Sequence, residues 1–120
     1  MPHIKLEHTE NVDPNFIKPV FKKLKVFLMK NAGVKKDNCK CKAIQIPIYE
    51  VSSDDASEHF YHLEISLLKG RSEEVRGKIG KKSLQILRDY FVDEKGENIK
   101  RFSVEIREIN PSDYLTSNTL

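Results

Sequence analysis

The feature that most constrains the fold is a repeat of roughly 60 residues, in which strand, amphipathic helix and strand patterns occur twice. Both copies open on the same alternation of apolar and polar residues, at 3–7 (HIKLE) and 62–66 (HLEIS). Strands on either side of one crossover helix lie parallel in a sheet. The repeat therefore predicts an α+β fold with four strands in one sheet, two helices on one face and a pseudo-two-fold relation between the halves.

The first half predicts a strand at 3–8 followed by a helix. Asp13 and Pro14 are typical of an N-cap and a first helical position, but Pro19 cannot donate a backbone hydrogen bond. We therefore expect the regular helix to begin near Lys18, after an irregular lead-in, and to end near Ala32. Its apolar stripe consists of Phe16, Ile17, Val20, Phe21, Leu24, Phe27 and Leu28.

The second strand is predicted over 42–51, where Ile44, Ile46 and Ile48 alternate with other residues. Pro47 removes a ladder hydrogen bond, which favours a sheet edge or a bulge at that point. Residues 52–57 are polar, and we expect a loop that joins the two halves.

The second half predicts a strand over 60–68, a helix with Ser72 as its N-cap and a strand over 101–109. The strand over 60–68 has Tyr61, Leu63, Ile65 and Leu67 on one side, and the last strand has Phe102, Val104 and Ile106 on one side. The buried stripe predicted for the helix consists of Val75, Ile79, Leu84, Leu87 and Phe91. We expect one domain over 1–120, with halves at about 1–51 and 59–110 and a tail over 110–120.

Two helices cover only one face of such a sheet, so the other face stays open. We expect apolar or aromatic residues there, such as Phe60 or Tyr61, depending on which way the third strand faces. An open face and unpaired strand edges favour self-association, and a closed homo-oligomer would bury both.

Composition excludes several classes of partner. The 120 residues hold 21 Lys and Arg against 18 Asp and Glu, and this net charge of +3 is spread along the chain rather than clustered as in nucleic-acid binders. No apolar run approaches the roughly 18 residues of a membrane-spanning helix. The first residues lack the apolar core of a secretory signal, which predicts a cytoplasmic protein. We expect neither a nucleic acid nor a membrane as partner.

Pro2 is the first candidate for chemistry. Removal of the initiator methionine before a small residue would leave a secondary amine at the very start of a strand, which would fix its position. An α-amino group titrates at about 7.7 to 8.0, and burial or a neighbouring cation lowers that pKa. Such an amine would be neutral at pH 7 and could act as a general base.

Arg71 is the second candidate, because it stands between a flexible Gly70 and the helix cap Ser72, where backbone N–H groups and the helix dipole favour an anion. A guanidinium group can bind a carboxylate through two hydrogen bonds. The alternative is a surface arginine paired with Glu73 or Glu74.

The cysteines and histidines give no sign of a metal site. Cys39 and Cys41 have no second cysteine pair, and the histidines show no HxxxH spacing on a helix. We expect ordinary thiols, with Lys40 or Lys42 adding positive charge beside them. No metal and no cofactor are expected.

Several segments of the chain resemble the tautomerase superfamily. The N-terminal MPHI strand and the tandem β-α-β repeat are similar to that superfamily as a whole. The segments 62–72 (HLEISLLKGRS) and 102–111 (FSVEIREINP), with the length near 120 residues, resemble its 5-carboxymethyl-2-hydroxymuconate isomerase family. The resemblance covers essentially the whole chain.

The resemblance implies a cofactor-free homotrimer that moves a proton between carbons of an unsaturated 2-hydroxy or 2-oxo dicarboxylate, such as 5-carboxymethyl-2-hydroxymuconate. It implies that Pro2 is the catalytic base and then the acid, and that Arg71 binds a substrate carboxylate and stabilises dienolate charge. The family has an arginine near the start of the second strand, where this chain has Lys40, with Lys42 as the second choice. Lysine keeps the positive charge but cannot bind a carboxylate through two parallel hydrogen bonds. The resemblance therefore defines the substrate less well than it defines the fold.

Two other functions are alternatives to this isomerase. Lys40 in place of arginine is compatible with a non-catalytic oligomer of the same fold that binds a small anion or a protein. The order β-α-β-β-α-β also occurs in some RNA-binding modules, which need exposed aromatic residues among clustered cations. Phe60 and Tyr61, close to Glu64, do not meet that need.

Overall fold

The fold is built from two strand-helix-strand units, seen in a computed structural model that describes residues 1–51, 58–93, 95–96 and 98–119. The first unit consists of β1 (His3–His8), α1 (Pro14–Asn31) and β2 (Lys40–Gln45). The second unit consists of β3 (Glu58–Leu68), α2 (Glu73–Phe91) and β4 (Ile99–Ile109). Short 3-10 turns occupy Lys36–Asn38, Pro111–Asp113 and Ser117–Thr119. The loop predicted at 52–57 lies outside the described residues.

The four strands form one mixed sheet in the order β2-β1-β3-β4. β1 is parallel to β2, and β3 is parallel to β4, as expected for strands joined by a crossover helix. The two units meet through the antiparallel pair of β1 and β3, in which Leu6 lies opposite Leu63. This arrangement confirms the predicted sheet of four strands made from two β-α-β units.

One hydrophobic core lies between the sheet and the helices, and its inward-facing strand residues alternate as predicted. The fully buried strand residues are Ile4, Leu6, Tyr61, Leu63 and Ile65. The helices add Ile17, Val20, Leu24 and Leu28 from α1 and Ile79, Leu87 and Phe91 from α2. No helix among the described residues is long and apolar enough to cross a membrane.

Helix α1 begins earlier than the sequence indicated. It starts at Pro14, where the Asp13 carboxylate accepts a hydrogen bond from the Asn15 amide at 2.8 Å, and Pro19 lies inside it. The expected irregular lead-in before Lys18 was wrong, because a proline so near the N-terminus removes a single intrahelical hydrogen bond. Burial of the apolar stripe on either side of Pro19 outweighs that loss of about 3 kcal/mol.

Strand β2 differs from its prediction in its bounds. It begins at Lys40 and ends at Gln45, and Ile48, which was expected inside the strand, is 90% exposed. Pro47 explains the early end, because it cannot donate to a ladder. The register places Cys41 opposite Ile4, so Cys41 faces the core and Ile44 lies on the opposite face.

The buried stripe of α2 contains one residue that hydrophobicity alone did not predict. Ser83 is fully buried, whereas the predicted Leu84 is 37% exposed. The reason is helical spacing, since Ser83 lies four residues from both Ile79 and Leu87 on one helix face. Ser72 caps the helix as predicted, and its hydroxyl accepts a hydrogen bond from the Val75 amide at 3.2 Å.

The uncovered face of the sheet is charged at its centre and apolar toward its ends. Tyr61 turns toward the helices and Phe60 faces away from them, which confirms the expectation of an apolar or aromatic residue on this face. The register places further apolar residues there: Ile44, Leu68, Ile99 and Ile109. An ionic ladder runs across the centre through Lys5, Glu64, Arg107, Glu105 and His62. Its N–O distances run from 2.8 Å for Arg107–Glu105 to 3.7 Å for Lys5–Glu64.

Candidate active site

One end of the sheet gathers the residues that the sequence singled out. β1 begins there beside the start of β2, because His3 lies opposite Lys40, and β3 ends there, because His3 also lies opposite Ser66. The turn that follows β3 carries Arg71. We call this region, made of Pro2, His3, Lys40 and Arg71 with the backbone around them, the Pro2 end of the sheet.

Pro2 is buried and held by the backbone of the neighbouring strand. Its carbonyl accepts a hydrogen bond from the Lys40 amide at 3.1 Å, which extends the β1–β2 ladder to the first residues of the chain. The strand thus fixes the position of Pro2, as the sequence predicted for an amine placed at a strand start.

The α-amino group at the Pro2 end lies in a field that disfavours its charge. This group belongs to Met1, which is half-buried. Burial is the main cause that lowers its pKa below 8.0, and the positive charge of Lys40 is the second. Both causes favour the neutral amine, which is the form that accepts a proton.

Arg71 lies in the turn between β3 and α2, where Gly70 adopts a φ of +145° that other residues rarely take. Its guanidinium donates hydrogen bonds to the carbonyl of Ala32 at 2.7 Å and to that of Leu68 at 3.2 Å. It therefore ties the end of α1 to the end of β3. These bonds use two of its five N–H groups.

Lys40 and Lys42 are exposed on the uncovered face and lie beside β1, opposite His3 and Lys5 respectively. Both lower the pKa of His3, although burial of the imidazole is the larger cause. Lys40 is the nearer of the two to Pro2, since its own amide is bonded there. The structure thus places Lys40 together with Pro2, as the sequence led us to expect.

Tyr114 belongs to this end of the sheet, and sequence reasoning did not find it. Its hydroxyl lies 2.8 Å from Nε2 of His3, and the two rings meet edge to face at 5.7 Å. The available signal was that Tyr114 is the one aromatic residue in the otherwise patternless segment 110–120. Only the path of the chain after β4 brings it to His3.

Cys39 and Cys41 are both free thiols. Cys39 is buried, and burial raises the pKa of the half-buried Cys41 thiol to about 11. Among the described residues, no three His, Cys, Asp or Glu side chains come together in a way that could hold a metal ion.

A cavity of about 420 Å³ lies elsewhere, between the first half of α1 and the edge strand β2. His8, the last residue of β1, lines it together with Ile17, Phe21, Cys41 and Gln45. It is therefore nearer the opposite end of β1 from Pro2. The His8 ring is bonded through Nδ1 to the Glu10 carbonyl at 2.8 Å.

Comparison with known proteins gives one family and one fold. The sequence model of the family described as 5-carboxymethyl-2-hydroxymuconate isomerase matches residues 2–120. A crystal structure of a 5-carboxymethyl-2-hydroxymuconate isomerase from Deinococcus radiodurans R1 is 28% identical, with a TM-score of 0.82 over 97% of this chain and 88% of that one. A comparison with curated proteins finds no match.

Two further solved structures share the fold at lower identity. One is a 5-carboxymethyl-2-hydroxymuconate delta-isomerase, 16% identical, with a TM-score of 0.76 over 99% of this chain and 90% of that one. The other is described as a fused 4-OT wild type symmetric trimer, 13% identical, with a TM-score of 0.77 over 98% of this chain and 94% of that one.

Proposed function

The chain belongs to the 5-carboxymethyl-2-hydroxymuconate isomerase family and is an isomerase of the tautomerase fold, and we propose that its Pro2 amine carries the reaction. The proposed substrate is an unsaturated 2-hydroxy or 2-oxo dicarboxylate such as 5-carboxymethyl-2-hydroxymuconate. The observation that carries the proposal is the placement of Pro2, which is buried at a strand start where burial and Lys40 lower the pKa of the preceding Met1 amine.

The proposed reaction is a proton transfer with no net change in composition. After removal of Met1, the neutral secondary amine of Pro2 takes a proton from the substrate and leaves a dienolate. The resulting ammonium returns that proton to a different carbon, so a double bond shifts and the amine is regenerated. A base whose pKa lies near the working pH is suited to both steps.

Arg71 and Lys40 are the proposed partners of the substrate's negative charge. We propose that Arg71 binds one carboxylate and stabilises the dienolate, a contribution that reaches about 3 kcal/mol at comparable sites. Its two backbone hydrogen bonds would hold the guanidinium in place before substrate binds. Lys40 would attract the second carboxylate, and its charge would also favour the neutral Pro2 amine.

We further propose a homo-oligomer, most simply a trimer. The uncovered sheet face and the outer strand edges support this, because both remain available for pairing in a single chain. A structural neighbour described as a symmetric trimer supports the stoichiometry. Within each subunit, one domain over 1–120 would comprise the halves 1–51 and 59–110.

The first test is whether the chain is processed and whether Pro2 is required. Intact-mass measurement of the protein from its native host should show loss of Met1. Pro2→Ala should slow ketonisation of 2-hydroxymuconate at least tenfold, measured by ultraviolet absorbance. Pro14→Ala, which changes a proline at the start of α1, is the matched control and should keep the wild-type rate.

Arg71→Ala should likewise slow the reaction at least tenfold, with thermal unfolding measured alongside because the side chain also ties α1 to β3.

Retained Met1 would contradict catalysis by a free proline amine. Correct processing with no turnover of any enol substrate would favour the binding of a small anion by a non-catalytic oligomer.

A further inference from the structure

The segment that follows β4 returns to the Pro2 end of the sheet. β4 closes beside β3, where the Lys69 amide donates to the Ile109 carbonyl at 2.9 Å. A single 3-10 turn follows, in which the Asp113 amide donates to the Asn110 carbonyl at 2.9 Å. Because β3 lies between β4 and β1, Tyr114 has to pass the end of β3 to reach His3.

The contact it makes there is directional. The Tyr114 hydroxyl and His3 Nε2 are 2.8 Å apart, and both side chains are half-buried. A tyrosine hydroxyl can donate to Nε2 or accept from it, so the contact fixes the orientation of the imidazole ring in either tautomer. The groups that face His3 otherwise are the cations Lys40 and Lys42 and the terminal amine, all of which oppose a charge on the ring.

We propose that Tyr114 is a positioning residue of the Pro2 site, which holds the His3 ring in one orientation beside Pro2. The inference rests on the proposed function for its effect on rate, but not for the contact itself. Tyr114 does not exchange protons with the substrate. It acts through His3, the residue next to Pro2.

Loss of this hydroxyl has a predictable direction. Burial is the largest cause that lowers the pKa of both His3 and the terminal amine. Without the hydroxyl the His3 ring is held less firmly and lets water reach the neighbouring amine, so we expect both pKa values to rise toward those of the free groups. An amine with a higher pKa becomes neutral only at a higher pH, so the acid limb of the kcat/KM profile moves to higher pH.

The experiment uses the full chain with Tyr114→Phe, which keeps the ring and removes the hydroxyl. Tyr90→Phe is the matched control, because its hydroxyl donates to the Phe16 carbonyl at 2.6 Å between the two helices. Histidine ring nitrogens are followed by NMR during a pH titration, and kcat and KM for 2-hydroxymuconate are measured from pH 5 to 9. Tyr114→Phe should raise the His3 titration midpoint and lower kcat/KM about fivefold at pH 6.5, the effect of one neutral hydrogen bond. Tyr90→Phe should change neither.

A second pair of variants separates positioning from mere packing. His3→Gln retains a side-chain partner for the Tyr114 hydroxyl and should keep most of the wild-type rate, whereas His3→Ala should match the Tyr114→Phe loss. Unchanged His3 signals in Tyr114→Phe would overturn the inference, and so would changed signals with an unchanged pH profile of an active enzyme. If the wild-type protein fails to turn over the substrate, the proposed function fails, and the NMR titration still decides whether Tyr114 holds His3.

Discussion

At the scale of single residues, the charge around Pro2 is set by very few side chains. Lys40 lowers the pKa of both the terminal amine and His3, while Lys42, two residues farther along β2, lowers that of His3. A lysine here has two effects on the proposed reaction. It attracts a dianionic substrate, and it makes the protonated amine less favourable, so the base is available at lower pH.

Lys40→Gln should therefore raise the pKa of the terminal amine. Since the amine accepts a proton only when neutral, the acid limb of kcat/KM should move to higher pH, with a loss of about threefold or more at pH 6. Lys42→Gln is the control and should move this limb less. Equal shifts in the two variants would show that the field at the amine does not depend on which lysine is nearer.

Cys41 is a second residue whose reactivity follows from its surroundings. Its thiol pKa of about 11 leaves roughly one molecule in a thousand as thiolate at pH 8. We expect iodoacetamide to alkylate Cys41 at least a hundredfold more slowly than a free cysteine, as followed by peptide mass spectrometry, with the urea-unfolded chain as control. Labelling of Cys41 at the free-thiol rate in the folded protein would contradict its burial beside the core.

At the scale of secondary-structure elements, α2 contains one residue that favours it and one that does not. Ser72 satisfies a backbone donor at its start, whereas the hydroxyl of the fully buried Ser83 has no hydrogen-bond partner in the part of the chain that the structure describes. An unsatisfied buried hydroxyl costs free energy that a methyl group does not.

Ser83→Ala should raise the free energy of unfolding by about 1 kcal/mol, because it removes that cost and introduces a better helix former. Ser72→Ala on the same helix should lower it by about 1 kcal/mol through loss of the cap. Urea titration followed by circular dichroism measures both. A loss of stability in Ser83→Ala would mean that this hydroxyl is bonded in solution.

At the scale of the whole molecule, the uncovered face of the sheet is a surface that one chain alone does not bury. Its centre is the ionic ladder, in which Glu64 lies between Lys5 at 3.7 Å and Arg107 at 3.5 Å. Ion pairs that remain in contact with water contribute little to the folding stability of a monomer. The same pairs acquire a large effect on association if a second copy covers them, because a charge buried without its partner is costly.

Glu64→Lys should therefore dissociate the proposed oligomer, since it places a third cation between Lys5 and Arg107. Light scattering after size-exclusion chromatography should show a shift from the wild-type mass toward that of one chain, 13.9 kDa. Glu74→Lys, on an 81% exposed side chain of α2, is the control and should keep the wild-type mass. An unchanged mass in Glu64→Lys would place the association surface elsewhere.

The sequence by itself determined the repeat, the number and type of elements, the alternation along β1 and β3, and the candidates Pro2 and Arg71. These follow from local periodicity and from caps and turns, which act over a few residues, whereas Lys40 became a candidate through the resemblance to a family. Tertiary structure decided the rest: the facing of β2 through its register with β1, the burial of Ser83, the ionic ladder and the meeting of Tyr114 with His3. Each of these depends on residues far apart in the chain, and their pairing is fixed only when strands align and helices pack, so no local pattern contains it.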